Sequence, residues 1–279
     1  MKRVAGSRPL FPGEHKASMQ AHWGAAPCGS NTADERLRGR EYFDEIERHR
    51  YRTHPWLFEA ISGFDIAGQD VLEIGFGMGT DHLAIARRGG IMHGIDFTPR
   101  NLEVTRERFA LYSQTSELRT GDAENLPYPD GSFDFVYSFG VIHHSPDTAR
   151  IISEIRRVLR PGGRCFVSVY HRNSVFFYWA VFGVQYLLHG GWRRRSLKRQ
   201  ISLIEYPNTS EDLVVQLFRR SEFVAMFRDF HNVSCRVAHL IPMDIPYLSV
   251  FFKDPFRPRP FFDRVGRRFG WYVVAEASK

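Results

Sequence analysis

With 279 residues, 43% of them hydrophobic and 14% aromatic, the chain carries enough apolar material for a sizeable core, which excludes a wholly disordered protein. A formal net charge of +7 bears on partners and not on fold, and no nucleic-acid module accompanies the basic residues, so no nucleic-acid partner is expected. Cys28, Cys165 and Cys235 are too few and too scattered for a disulfide framework or a zinc site, no metal is expected, and no apolar signal or spanning segment precedes the core, which makes the cytoplasm the default location.

Residues 1–33 are rich in Gly, Pro, Ala and Ser and read as a loose arm whose second half, with His22-Trp23-Gly24 and Pro27-Cys28-Gly29, docks. Cys28 would be a reactive thiolate only in basic or helix-terminal surroundings, which the sequence does not show. The pattern over 34–60 is helical, placing Tyr42, Phe43, Ile46, His49 and Arg50 on nearby faces until Pro55 breaks it. Val71, Leu72 and Ile74 then form the short apolar run of a buried parallel strand, and Gly75, Gly77 and Gly79 turn the chain without Cβ atoms in the way. For a dinucleotide fingerprint the third glycine comes one residue early, and Glu73 beside the loop would repel a pyrophosphate while suiting a cationic or amino-bearing ligand. Helical stretches over 80–88, 99–112 and 148–159 alternate with strands, which predicts a parallel sheet with helices on both faces.

Further residues extend the glycine loop into an ordered set. His93-Gly94-Ile95-Asp96 ends a second strand on an acid, and Thr120-Gly121-Asp122-Ala123-Glu124 is followed by Leu126-Pro127. Residues 132–138 run into Phe139-Gly140-Val141-Ile142-His143-His144, and Leu159-Arg160-Pro161-Gly162-Gly163-Arg164 turns into a fifth strand. From about Asp70 to Cys165 the chain thereby resembles the class I S-adenosylmethionine-dependent methyltransferases of quinone, sterol and secondary-metabolite type. The resemblance implies an α/β, Rossmann-like fold with a mostly parallel seven-stranded sheet and helices on both faces. It implies S-adenosylmethionine as cofactor, S-adenosylhomocysteine as product and a small-molecule methyl acceptor. Carried over residue by residue, the cofactor ligands are Glu73, Gly75, Gly77, Gly79, Asp96, Phe97, Asp122, Ala123, Phe139 and His143, with Asp96 on the ribose and Asp122 near the adenine amino group. Asp134, inside a strand pattern, is structural. The helix before the first strand often covers the cofactor in this family, which brings Tyr42, Arg50 and Tyr51 toward its methionine end, although packing accounts for any one of them.

Beyond the fifth strand some forty residues intervene before the last two strands, expected at 233–240 and 270–277. The division expected is an N-terminal arm and cofactor-covering helix over 1–60, then the methyltransferase domain over 61–279 with a helical substrate lid inserted at about 172–212. Residues 174–189 are apolar all round and too short to span a bilayer; they fit a lid over an apolar pocket, or an interfacial helix whose following basic run, 192–199, meets a membrane in a peripheral contact through 174–199. Residues 206–230 read as a helix with Thr209 or Ser210 as cap. His144, and His171 beside Tyr170 at the end of the fifth strand, stand on the acceptor side, where a base is needed only for a hydroxyl, a protonated amine or a carbon acid. The reading is methyl transfer to a small or moderately apolar molecule, with a lipid or quinone methyltransferase at a membrane surface and a silent cofactor-binding partner protein as alternatives.

Overall fold

The computed structural model describes residues 12–279 apart from 35, 208, 210 and 211, so the first part of the expected arm and the expected cap Ser210 lie outside the described residues. Seven strands, β1 (Asp70–Ile74), β2 (Ile91–Asp96), β3 (Glu117–Thr120), β4 (Phe133–Phe139), β5 (Leu159–Tyr170), β6 (His231–Ala238) and β7 (Tyr272–Ser278), form one sheet in the order β3-β2-β1-β4-β5-β7-β6. The first five are parallel, and β7 runs antiparallel to both its neighbours. Between Phe133, which faces Leu159, and Phe135, which faces Arg164, the Pro161-Gly162-Gly163 turn is absorbed as a bulge in β5.

Alternate residues of the central strands feed two apolar layers. Leu72, Ile74, Val136, Val167 and Val169 pack with Ile151, Ile152 and Ile155 of helix α6 (Thr148–Val158) on one face. On the other, Val71, Phe135, Tyr137 and Phe166 meet Leu57 and Ile61 of α3 (Pro55–Ser62) and Leu83 and Ile85 of α4 (Thr80–Ala86). Helix α5 (Pro99–Leu111) completes the crossovers, while α1 (Pro12–Ala25) and α2 (Gly39–Thr53) precede the sheet. Pro55 separates α2 from α3 by taking the first turn of α3, where its missing N–H is harmless. Because β1 lies between β2 and β4, the chain departs from it in opposite directions, and that reversal opens a crevice at the strands' carboxyl ends.

Beyond β5 one expectation fails. The helix expected over 206–230 shrinks to α8 (Arg220–Ala225). Residues ahead of it are claimed by the sheet instead: Phe218 N–H donates to the Tyr170 carbonyl (2.9 Å), Arg172 N–H donates to the Phe218 carbonyl (2.9 Å), and Leu213 and Leu217 are buried. The apolar run expected as a lid forms a wide π-helix (Phe176–Leu188) that buries Phe177, Ala180, Val181 and Val184 and sets Phe176 edge-on to Trp271 at 4.7 Å. It flanks the sheet and does not line the cavity; of the described residues in 172–212, only Glu205 does. No helix among the described residues is long and apolar enough to cross a membrane.

Candidate functional site

A cavity of about 460 Å³ lies in the crevice, a size suited to a small ligand. Its floor is the loop after β1. Gly75 has a φ of 76° and sits so close to Val141 that a Cβ would come within 2.3 Å of that side chain. At Gly77 the φ is 53° and a Cβ would meet nothing within 4 Å, because the position opens onto the cavity. The Gly77 N–H donates to Asp96 Oδ2 (2.9 Å), while Oδ1 accepts from the Thr98 N–H (2.9 Å) and the Asn101 amide (3.0 Å). Asp96 is buried at the end of β2, and desolvation raises its carboxyl above the usual range despite those donors. Phe97, Asp122 and Ala123 line the same part of the cavity.

Helix α1 roofs this half. Lys16 pairs with Asp122 (2.5 Å) and Glu124 (2.7 Å), and the Gln20 amide donates to the Phe97 carbonyl (2.8 Å). Helix α2 supplies a second wall, where Arg50 forms a two-pronged pair with Asp81 of α4 and lies 4.7 Å from the Phe139 ring. Asp81 also accepts from the Tyr51 hydroxyl (3.0 Å) and the Tyr137 hydroxyl (2.8 Å), so the buried carboxylate is fully hydrogen-bonded.

Across the sheet the lining changes character. The ends of β2 and β5 stand three strand spacings, roughly 14 Å, apart. At the β5 end Tyr170 donates to Glu205, a carboxylate with no cationic partner among the described residues, and burial lifts its pKa. Trp23 and Cys28 from the N-terminal segment, with His144, complete this wall. The Tyr206 hydroxyl accepts from Trp23 Nε1 (3.3 Å) and meets His144 Nδ1 (3.1 Å), so these three brace one another behind the lining. The Cys28 thiol is open to the cavity yet ringed by protein, and burial pushes its pKa up; it is a thiol at neutral pH and not a thiolate nucleophile.

Residues 72–167 match a family model described as a methyltransferase domain. Two curated relatives, both named ubiquinone biosynthesis O-methyltransferase, come from Dechloromonas aromatica (32% identical over 134 residues, 48% of this chain and 56% of that one) and Xanthomonas oryzae (35% over 146 residues, 52% and 61%). A crystal structure of a S-adenosylmethionine-dependent methyltransferase from Thermotoga maritima aligns with a TM-score of 0.55 at 23% identity, covering 86% of this chain and 95% of that one, a likeness that concerns fold. Over residues 72–167 the chain is thus similar to a methyltransferase domain, and its fold is the one that class I S-adenosylmethionine-dependent methyltransferases share. It spans little more than half the length of the curated relatives it matches. The cavity fits the class I cofactor on its own terms: an open Cβ position at Gly77, a carboxyl at Asp96 and a half-buried cation at Arg50.

Three of the expected site residues lie off the cavity, and a fourth lines it with an unsuitable pKa. Gly79 starts α4 away from the cavity, where its bare Cα lets Thr105 approach; a Cβ there would stand 2.7 Å from the Thr105 methyl. His143 turns inward from the short turn after β4, its ring centroid 3.8 Å from that of Tyr170, and does not line the cavity; neither ring nitrogen has a partner, and burial keeps the ring neutral. His171 is consumed by the sheet extension and by a contact from Nδ1 to the Gly270 carbonyl (3.0 Å). His144 does line the cavity, but burial drives its pKa down to about 3, poorly matched to a base at neutral pH.

Glu73 reaches the lining but points its carboxyl inward, 2.9 Å from His82 Nδ1. The Ser116 hydroxyl donates to the Met92 carbonyl (3.0 Å), so it accepts from His82 Nε2–H (2.8 Å). That leaves Nδ1 as acceptor on a neutral ring, and burial pushes Glu73 up and His82 down to about 3, so the pair is a carboxylic acid donating to an imidazole. The negative charge expected beside the glycine loop is absent. Of the groups that sequence reasoning missed, Glu205 carries no motif, and Trp23 and Tyr206 acquire their place only through each other.

Proposed function

We propose that this chain transfers a methyl group from S-adenosylmethionine to a hydroxyl of a small, moderately apolar aromatic molecule. The single observation that carries the acceptor half of this reading is Glu205, a half-buried carboxylate among Trp23, Tyr170, His144 and Phe139, set at the end of the crevice away from Asp96. When bound, the cofactor supplies an activated methyl on sulfur and a neutral thioether as leaving group. Asp96 holds the ribose, the Gly75–Gly77 backbone and the 121–123 loop take the remainder of the nucleoside, and Arg50 faces the methionine carboxylate. The aromatic wall seats the acceptor ring and keeps water out. Glu205 would take up the acceptor's hydroxyl proton as the methyl group is transferred to its oxygen; its raised pKa suits it to that task better than His144. The O-methyltransferase name of the two relatives supports oxygen as the acceptor atom.

Calorimetric titration with S-adenosylmethionine, S-adenosylhomocysteine and NAD, followed by S-adenosylhomocysteine release in the presence of catechols and of the matching anilines, tests the reading. Binding of the first two with turnover of catechols supports it. Binding without turnover of any acceptor moves the silent-partner reading forward, and turnover confined to the anilines overturns the hydroxyl assignment.

A further inference from the structure

Three segments far apart in sequence expose large apolar side chains on adjoining ground. The π-helix and the turn after it expose Trp179, Leu188 (69%) and Trp192; the short turn Ser249–Phe251 exposes Val250 (77%) and Phe251 (79%); and helix α9 (Pro260–Phe269) opens with Phe261 (70%). Direct contacts tie them together. Trp179 Nε1 donates to the Pro246 carbonyl (3.3 Å), His189 Nε2 meets the Tyr247 hydroxyl (2.8 Å), and the Phe252 ring stands 5.7 Å from that of Phe262. Side chains this large and this open, clustered in one region, mark a surface that meets an apolar phase.

The same ground is cationic. Arg193, Arg194, Lys198, Lys253 and Arg257 are exposed there, and none has an ion-pair partner among the described residues. The Arg193 guanidinium sits 4.9 Å from the Trp192 ring, so a cation and an amphipathic aromatic are presented side by side. We propose that this face docks the protein onto an anionic lipid bilayer, the apolar side chains entering the headgroup boundary and the arginines and lysines meeting lipid phosphates. Charge selects this occupant. A second copy joined through the same face would bring the same five cations together, whereas an anionic bilayer complements them.

The docking surface reaches the cavity wall. Asp254 pairs with Arg52 of α2 (2.7 Å), and the Phe256 ring packs against His49 of α2 at 5.8 Å, with His49 itself lining the cavity. Seating the 247–252 turn in a bilayer therefore brings the α2 wall to the lipid, a route for an apolar acceptor; that last step rests on the proposed function, whereas docking does not.

Co-sedimentation with phosphatidylcholine vesicles, with and without phosphatidylglycerol, tests docking apart from catalysis. The wild-type chain is expected to pellet with the anionic vesicles only, with a blue shift of tryptophan emission, and to be released by salt. Arg193→Ala with Arg194→Ala lowers partitioning by about fivefold per residue, and Val250→Ser with Phe251→Ser abolishes the pellet. All four side chains are exposed, so melting temperature and S-adenosylhomocysteine titration remain at wild-type values and certify folded variants. No pelleting of the wild type with either vesicle, or pelleting indifferent to both pairs of substitutions, overturns the proposal. So does a wild-type dimer on gel filtration that Val250→Ser with Phe251→Ser dissolves, since a second copy would then be the occupant.

Discussion

Asp96→Ala separates two roles that the structure gives one carboxylate. Removing it strands three donors: the Gly77 and Thr98 amides and the Asn101 side chain. Gly77 opens onto the cavity and can turn to water, whereas Thr98 and Asn101 are buried, so two donors lose their partners at roughly 1–3 kcal/mol each. Relief of the carboxyl's own desolvation, visible in its raised pKa, offsets part of that and leaves a net loss of about 2–3 kcal/mol. At roughly 2–4 °C per kcal/mol, the ligand-free variant melts about 4–12 °C lower by scanning calorimetry. The cofactor loses charge-assisted hydrogen bonds worth roughly 1.5–3 kcal/mol, which weakens S-adenosylhomocysteine binding about 10- to 150-fold in a titration run well below the melting range. Asp96→Asn keeps one acceptor oxygen and lies between wild type and alanine in both assays. A variant that melts lower yet binds S-adenosylhomocysteine as the wild type does would reduce Asp96 to scaffold and refute its place on the ribose.

Three further substitutions probe the remaining walls. Gly77→Val pushes two methyl groups into the cavity from a φ of 53°, at a backbone cost of about 1–2 kcal/mol, so titration detects no cofactor binding while the chain still melts cooperatively; normal binding would remove the loop from the site. Glu73→Gln imitates the neutral acid that donates to His82. Because Glu73 is held protonated when folded but ionises when unfolded, its stability contribution falls as pH rises above the usual carboxyl range; the variant is therefore more stable than wild type at pH 7, and the gain disappears near pH 4. A loss of stability at pH 7, or a hundredfold loss of binding, would show an ionised Glu73 instead. Glu205→Gln lowers kcat on a hydroxyl acceptor by about 10²–10⁴-fold and erases the rise of rate with pH on the acid side, a limb that in the wild type lies above the ordinary glutamate range; cofactor affinity is unchanged. Retention of that limb in the variant would assign the base elsewhere.

What was legible in the sequence follows the range of the forces involved. The strand-loop-helix from Val71 to Ala86 depends on neighbours a few residues away, and the glycine spacing with Asp96 pointed to the loop at which the structure opens its cavity. The 212–219 segment was misread because its backbone partners, Tyr170 and Arg172, lie some forty residues upstream, and strand pairing there overrides a capping pattern that suits a helix. Which of His143 and His144 faces the cavity is decided by one short turn, Ile142–His144, and adjacent histidines carry no periodicity that tells them apart. The protonation of Glu73 was hidden for a different reason: its partner His82 is nine residues on, but the tautomer is set by Ser116 and the Met92 carbonyl on other elements.

The two halves of the cavity also differ in where their residues come from. Gly77, Asp96 and Asp122 fall within residues 72–167, the span that matches the methyltransferase domain, as do Phe139 and His144 of the aromatic wall, whereas Trp23, Cys28, Arg50, Tyr170 and Glu205 fall outside it. Likeness across that span therefore covers the glycine loop and Asp96 but omits the carboxylate proposed to face the acceptor and much of the wall around it. Helix α1 belongs to both halves, holding the 122–124 loop through Lys16 and the acceptor wall through Trp23 and Tyr206. A ligand that draws Asp122 away from Lys16 loosens one end of that roof while the other stays fixed by the aromatic contacts. On the proposed function, Lys16→Met frees Asp122 in advance and is expected to reduce the dependence of catechol affinity on S-adenosylhomocysteine occupancy, read by calorimetric titration of catechol with and without it; an unchanged dependence refutes a coupling through α1.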